Sequence, residues 1–166
     1  VFEKWDVVKF DFWIKDKKIW LNTDSAFTMI IWDWPHDLEV EKFLQVSKEA
    51  LYKWIAKAVP WNRIWDIWAA IQQYVESNWY HVVKDLTWHG IWYNLHEKPY
   101  VPNYGKPWTG ELLKENMTLA IEPIVWYSSG KIVDWDGFEI YIADWSLWAQ
   151  FEHTICIKPG YPEIII

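Results

Sequence analysis

Val7–Phe12 alternates apolar and polar positions and is rich in β-forming residues, and Thr23–Ile31 does the same. The polar run Lys15-Asp16-Lys17-Lys18 lies between them, so the pair predicts a hairpin of two half-buried strands. The period then changes. Within 37–59, Leu38, Val40, Phe43, Leu44, Val46, Leu51 and Ile55 recur at helical spacing with charges opposite, which predicts an amphipathic scaffold helix. Asn62 is placed to cap a second helix reaching about Glu76, with Ile64, Ile67, Ile71 and Val75 facing inward. From Tyr80 onward the pattern predicts strands at Val82-Val83, Leu119–Val125, Phe138–Ala143 and Ala149–Ile157. Pro99, Pro102 and Pro107 punctuate a long connection between two of them. Strands with helices gathered on one side make an α+β fold.

Length and charge narrow the classes. A chain of 166 residues is one domain with room for a core, and a net charge of −7 argues against nucleic acid or an anionic membrane surface as partner. No apolar run is long enough to span a bilayer and no signal-like start is visible, so no membrane partner is expected. The single Cys156 cannot form an internal disulfide, which fits a reducing cytoplasm.

Seventeen tryptophans against six glycines is the anomaly. Trp5, Trp34, Trp61, Trp79, Trp108 and Trp145 stand in Lys-Trp-Asp, Asp-Trp-Pro, Pro-Trp-Asn, Asn-Trp-Tyr, Pro-Trp-Thr and Asp-Trp-Ser contexts. Turn chemistry puts glycine at most such places, because glycine reaches positive φ without steric cost. The remaining aromatics, nine Tyr and seven Phe, are an ordinary share for a globular domain. These positions read as glycines encoded by UGA, a codon that some bacterial lineages translate as glycine and another variant code translates as tryptophan.

Candidate chemistry lies in five places. Phe10-Asp11-Phe12 and Thr23-Asp24-Ser25 offer two strand aspartates, 13 positions apart across the hairpin and aimed at one point. His89 precedes Gly90, Glu122 precedes Pro123, and Glu152 stands between Phe151 and His153. Two Asp, two Glu and one His make an oxygen-rich donor set that suits a pair of hard or borderline divalent cations. Buried carboxylates are too costly to keep unless something positive neutralises them.

The segments Leu95-His96-Glu97-x-Pro99-x-x-Pro102-Asn103-Tyr104-Gly105, Ile121-Glu122-Pro123 and Phe151-Glu152-His153-Thr154 resemble those of type I methionine aminopeptidases, dinuclear-metal enzymes of the pita-bread fold. The resemblance runs from about Trp5 to the C-terminus. It implies a curved antiparallel sheet backed by helices, with the first half incomplete. It implies removal of N-terminal methionine from nascent polypeptides, at the ribosome, by water activated between two divalent ions (Mn, Fe, Co or Zn), in a monomer. Asp11, Asp24, His89, Glu122 and Glu152 are then the metal ligands, with Glu122 also the general base. His96 is the non-ligand histidine at the scissile peptide, and Phe138 and Leu95 fall in the methionine pocket. Family members carry glycine where this chain has Trp88 and Trp92. They also have a further N-terminal segment supplying pocket residues, so 1–166 reads as a catalytic domain lacking that segment and as an inactive fragment by itself. The alternatives are an Xaa-Pro aminopeptidase or prolidase, and a non-catalytic pita-bread binding module. The first generally has a second histidine ahead of His-Gly, where this chain has Leu86 and Trp88; the second predicts lost ligands.

Overall fold

The computed structural model describes residues 1–166 except 32–36, 85, 103–108, 129–130 and 136–138. Strands β1 (Val7–Lys15) and β2 (Asn22–Ile30) form the expected hairpin, closed by a turn over Asp16–Leu21. Lys15 pairs with Asn22, so Asp11 lies opposite Ala26 and Asp24 opposite Trp13. The two aspartates are therefore diagonal neighbours rather than directly across. The turn holds more residues than a tip at Lys17-Lys18 requires, and the whole register moves with it. Both still share a face, because the offset is two and strand side chains alternate with period two.

Helix α1 (Leu38–Ile55) starts where the Asp37 side chain accepts the Glu39 backbone N–H at 2.8 Å. Its inward stripe begins at Phe43 and continues through Val46, Ala50, Leu51, Trp54 and Ile55, whereas Leu38, at the first turn, is exposed. Helix α2 (Ile64–Ser77) buries Ile64, Ile67, Ile71 and Val75 as the period predicts, together with Trp68. Its N-terminus differs from expectation. Asn62 turns back to donate to the Lys57 carbonyl, and Asp66 accepts the Arg63 backbone N–H at 3.0 Å instead. An acidic residue in the first turn also suits the positive end of the helix dipole.

The remaining strands are β3 (His81–Val82), β4 (Thr87–Gly90), β5 (Glu97–Pro102), β6 (Thr118–Ile121), β7 (Ile124–Trp126), β8 (Ile132–Trp135), β9 (Glu139–Ile142), β10 (Trp148–Gln150), β11 (Glu152–Cys156) and β12 (Glu163–Ile164). A seven-stranded antiparallel sheet runs β1-β2-β11-β6-β4-β5, with β12 on β11. A three-stranded sheet runs β10-β7-β3, and β8 pairs with β9. Thus the single strands expected at Leu119–Val125 and Ala149–Ile157 are each broken, and each passes from one sheet to the other. The first break is at Glu122-Pro123, where proline has no N–H for a ladder and holds its predecessor in extended backbone. The second is at Phe151.

The two faces of the large sheet are chemically opposite. Leu119, Ile121, Ile155, Trp88 and Val101 join the buried stripes of α1 and α2 in one apolar core. On the other face, register links Asp11 to Ala26, Ala26 to Glu152, Thr154 to Ala120 and Ala120 to His89. Five adjacent strands therefore present Asp11, Asp24, Glu152 and His89 to the same side, with two alanines between them that leave space.

Candidate metal centre

Asp24, His89 and Glu152 each bring one donor atom to within 4.8 Å of the others. All three are buried, at 8, 5 and 2 % exposure. The seam that holds them is built from side-chain hydroxyls. Thr154 Oγ1 accepts the Asp24 backbone N–H at 2.7 Å and donates to the Asp24 carbonyl at 2.8 Å. Ser25 Oγ donates to the Glu152 carbonyl at 3.0 Å, and Thr28 Oγ1 both donates to the Gln150 carbonyl and accepts its N–H. These bonds fix β2 against β10 and β11, and so fix the spacing of Asp24 and Glu152.

His89 is placed by Gly90. A bulge lies between His89 and Gly90 where β4 meets β5, and a Cβ at Gly90 would stand 2.3 Å from the Lys98 carbonyl oxygen. Only glycine admits that approach, which turns the neighbouring imidazole into the site. Its Nε2 stands 3.8 Å from Glu122 Oε1. Glu122 lies in the unpaired step between the two sheets, free of ladder constraints and aimed at the same space.

Asp11 is more exposed and joins through an amide. Gln150 Nε2 donates to Glu122 Oε2 at 3.0 Å and lies 3.4 Å from Asp11 Oδ2. Lys9 Nζ donates to Gln150 Oε1 at 2.9 Å and to Asp11 Oδ2 at 3.3 Å. The five residues proposed from sequence are thus contiguous. Lys9, Gln150 and Thr154 were not singled out. The signal that points to Gln150 is a polar residue between Ala149 and Phe151, two positions from Glu152; Gln150 is itself 2 % exposed.

Electrostatics shows what the set lacks. Burial raises Asp24 to about 6, helped by the Asp11 charge. Burial likewise raises Glu122 to about 8 and Glu152 to about 10, with the other carboxylates adding to each. Burial lowers His89. The buried carboxyls of Asp24, Glu122 and Glu152 resist ionisation, and a divalent cation reverses that preference. Glu152 Oε1 is buried without a hydrogen-bond partner, although a buried acceptor is costly to leave so. Oxygen donors around one imidazole fit a hard or borderline divalent ion.

His96 is exposed and meets the His89 ring edge-on, with centroids 4.4 Å apart. Leu95 is half-buried beside it in the connection from β4 to β5. Phe138 lies outside the described residues, as do Asn103, Tyr104 and Gly105. His153 belongs to the helix-facing side, with Nε2 3.1 Å from Tyr52 Oη and Nδ1 2.9 Å from the Ile166 carbonyl, away from the acidic group.

Comparison with known proteins decides the lineage. The family described as Metallopeptidase family M24 matches residues 1–159. The chain belongs to metallopeptidase family M24. Methionine aminopeptidase of Clostridium perfringens is 44 % identical over 128 residues, covering 76 % of this chain and 51 % of that protein. The methionine aminopeptidase of Mycoplasma capricolum is 42 % identical over 146 residues, covering 87 % and 57 %. The crystal structure of the Thermotoga maritima methionine aminopeptidase superposes with a TM-score of 0.92 at 38 % identity, over 99 % of this chain and 65 % of that one. The chain therefore spans about half the length of the relatives it matches. M24 membership implies divalent-metal use, and the antiparallel sheet backed by two helices is the M24 pita-bread arrangement expected from sequence. Among the described residues no helix is long and apolar enough to cross a membrane.

Proposed function

We propose that the protein to which this chain belongs is a methionine aminopeptidase, with 1–166 contributing most of its metal-binding face. The observation that carries the reading is the buried Asp24–His89–Glu152 group with its unpartnered Glu152 oxygen, in a chain of this family. In this reading Asp11, Asp24, His89, Glu122 and Glu152 hold two divalent cations, Mn, Fe, Co or Zn. When bound, the cations supply an acidified water and a docking point for the free α-amine of the substrate. Glu122, with a carboxyl that burial already makes more basic, takes the water's proton and delivers it to the leaving amine. His96, exposed at the rim, donates to the carbonyl oxygen of the scissile peptide. Leu95 and Phe138 line the methionine side chain. The substrates are N-termini of nascent polypeptides, met in the cytoplasm at the ribosome by a monomeric enzyme.

The test uses the full-length protein loaded with Mn, Fe or Co and a Met-Ala-Ser peptide. Methionine should be released, and Glu122→Gln should cut turnover by about 10²–10⁴-fold, the usual contribution of a positioned acid–base group. Cleavage restricted to Xaa-Pro peptides would replace this reading with the prolidase one.

A further inference from the structure

We propose that the working protein carries glycine at Trp5, Trp20, Trp61, Trp79 and Trp145, and at the buried Trp54, Trp68, Trp88 and Trp126, all encoded by UGA. The first five take φ values of 82, 61, 79, 68 and 58°, in the left-handed region. Bulky side chains are genuine outliers there, and Asn116, at φ 67°, is the tolerated kind of exception. Gly110 and Gly160 show the ordinary solution at φ 82 and 84°.

Each site has a local reason for its backbone. At the end of α2, Tyr80 N–H reaches the Val75 carbonyl and Trp79 N–H reaches Glu76, the paired bonds of a Schellman cap. Trp79 occupies the residue just past the cap, where glycine is usual. In the β1–β2 hairpin, Trp20 N–H bonds the Asp16 carbonyl and the chain must then reverse for Leu21 to accept Asp16 N–H. Trp145 closes the turn after β9 onto the Ile142 carbonyl, and Trp5 and Trp61 each bond a carbonyl far along the chain, Ile31 and Leu113. The five indoles take no part in the core: they are 43, 64, 83, 85 and 76 % exposed. Backbone demands glycine at these points, and packing does not demand tryptophan.

The buried group gives independent support. Trp54, Trp68, Trp88 and Trp126 each bury an Nε1–H without a partner, whereas buried indoles usually find one. Trp88 sits edge-on to Trp54 and Trp68, at 4.3 and 5.9 Å, wedged between both helices and β4. Glycine at 54, 68 and 88 removes three orphaned donors and lets helix and sheet approach. Trp126 also walls a cavity of about 190 Å³ lined by Asp11, Glu122 and Gln150, so glycine at that position widens the space reaching Glu122. Trp34 and Trp108 lie outside the described residues.

Two measurements test this. Reading the gene should show TGA at all nine positions, with TGA also inside the reading frames of neighbouring genes; TGG codons would overturn the proposal. Separately, full-length protein carrying Gly at 5, 20, 61, 79 and 145 should melt above one carrying Ala at the same five positions. Alanine removes the indoles equally but keeps a Cβ at left-handed φ. An alanine variant as stable as the glycine one would refute the backbone argument, and the codon test stands whether or not the tryptophan form folds.

Discussion

Gly90→Ala is the sharpest perturbation available next to the candidate centre. The added methyl would meet Lys98 O at 2.3 Å, Lys98 C at 2.7 Å and Glu97 O at 3.0 Å. All three are backbone atoms of the strand paired with β4, so no side chain can rotate away. Overpacking of this kind costs about 1–3 kcal/mol, and a contact with immovable backbone belongs at the upper end. In a chain of this class each kcal/mol moves the melting temperature by about 2–4 °C, so a fall of about 6–12 °C is expected. Gly160→Ala is the control: nothing lies within 4 Å of its Cβ, and φ is +84°, so it suffers left-handed strain alone, about 1–2 kcal/mol. The two should separate further in Mn²⁺ titrations of the full-length protein. Gly90→Ala displaces His89 and should weaken binding about tenfold or more, as loss of ligand-orienting groups does. Gly160→Ala should leave affinity unchanged. If Gly90→Ala matches wild type in both melting and Mn²⁺ affinity, the bulge does not position His89 and the reasoning fails.

Divalent cation at 100 times its dissociation constant should stabilise the full-length protein by about 2.7 kcal/mol, and chelation should reverse the gain in differential scanning calorimetry. A melting temperature indifferent to Mn²⁺ and chelator would remove the metal assignment. Gln150→Ala should lower activity about 10–100-fold while Met-Ala-Ser binding changes little, because Glu122 and Asp11 lose the amide between them. Equal loss in Gln150→Asn, which keeps an amide but shortens its reach, would point to distance as the property that matters; full activity in Gln150→Ala would dismiss the residue.

How much of this could be read from the chain follows physical lines. Elements with a sustained period announced themselves: the hairpin alternation, and the inward stripe Ile64, Ile67, Ile71, Val75 of α2. The residues that the fold gathers at the candidate centre were also visible, because carboxylates in apolar frames are costly unless used. Register was not, since the Asp11–Ala26 pairing depends on how many residues the turn consumes, and periodicity says nothing of that. Nor were the breaks at Glu122-Pro123 and Phe151: Pro123 marks a missing ladder donor, but nothing in the period tells that the hydrogen-bonding partner changes on either side. The caps were not legible from the period. Asp37 caps α1, whereas Asn62 found the Lys57 carbonyl first. Short strands such as β4 and β5 carry too few alternations to signal, and β5 is crowded with prolines that usually argue against a strand.

The passage of two strands from one sheet to the other has a dynamic consequence. Asp24, His89 and Glu152 are mounted on the seven-stranded sheet, backed by the helical core. Gln150 closes β10 of the three-stranded sheet, and Glu122 hangs on the hinge into β7. The small sheet pairs over only a few residues; Val82, Val125 and Ala149 on one face reach the main core, while its other face rests on a small apolar cluster of Val83, Ile124, Trp126 and Ile142. It is the segment expected to open first in subglobal fluctuations, because stability varies with local packing. Amide exchange at Val125 and Ala149 should then outrun that at Ala120 and Thr154. Under the proposed function, Glu122 and Gln150 would then breathe while Asp24, His89 and Glu152 stay shut.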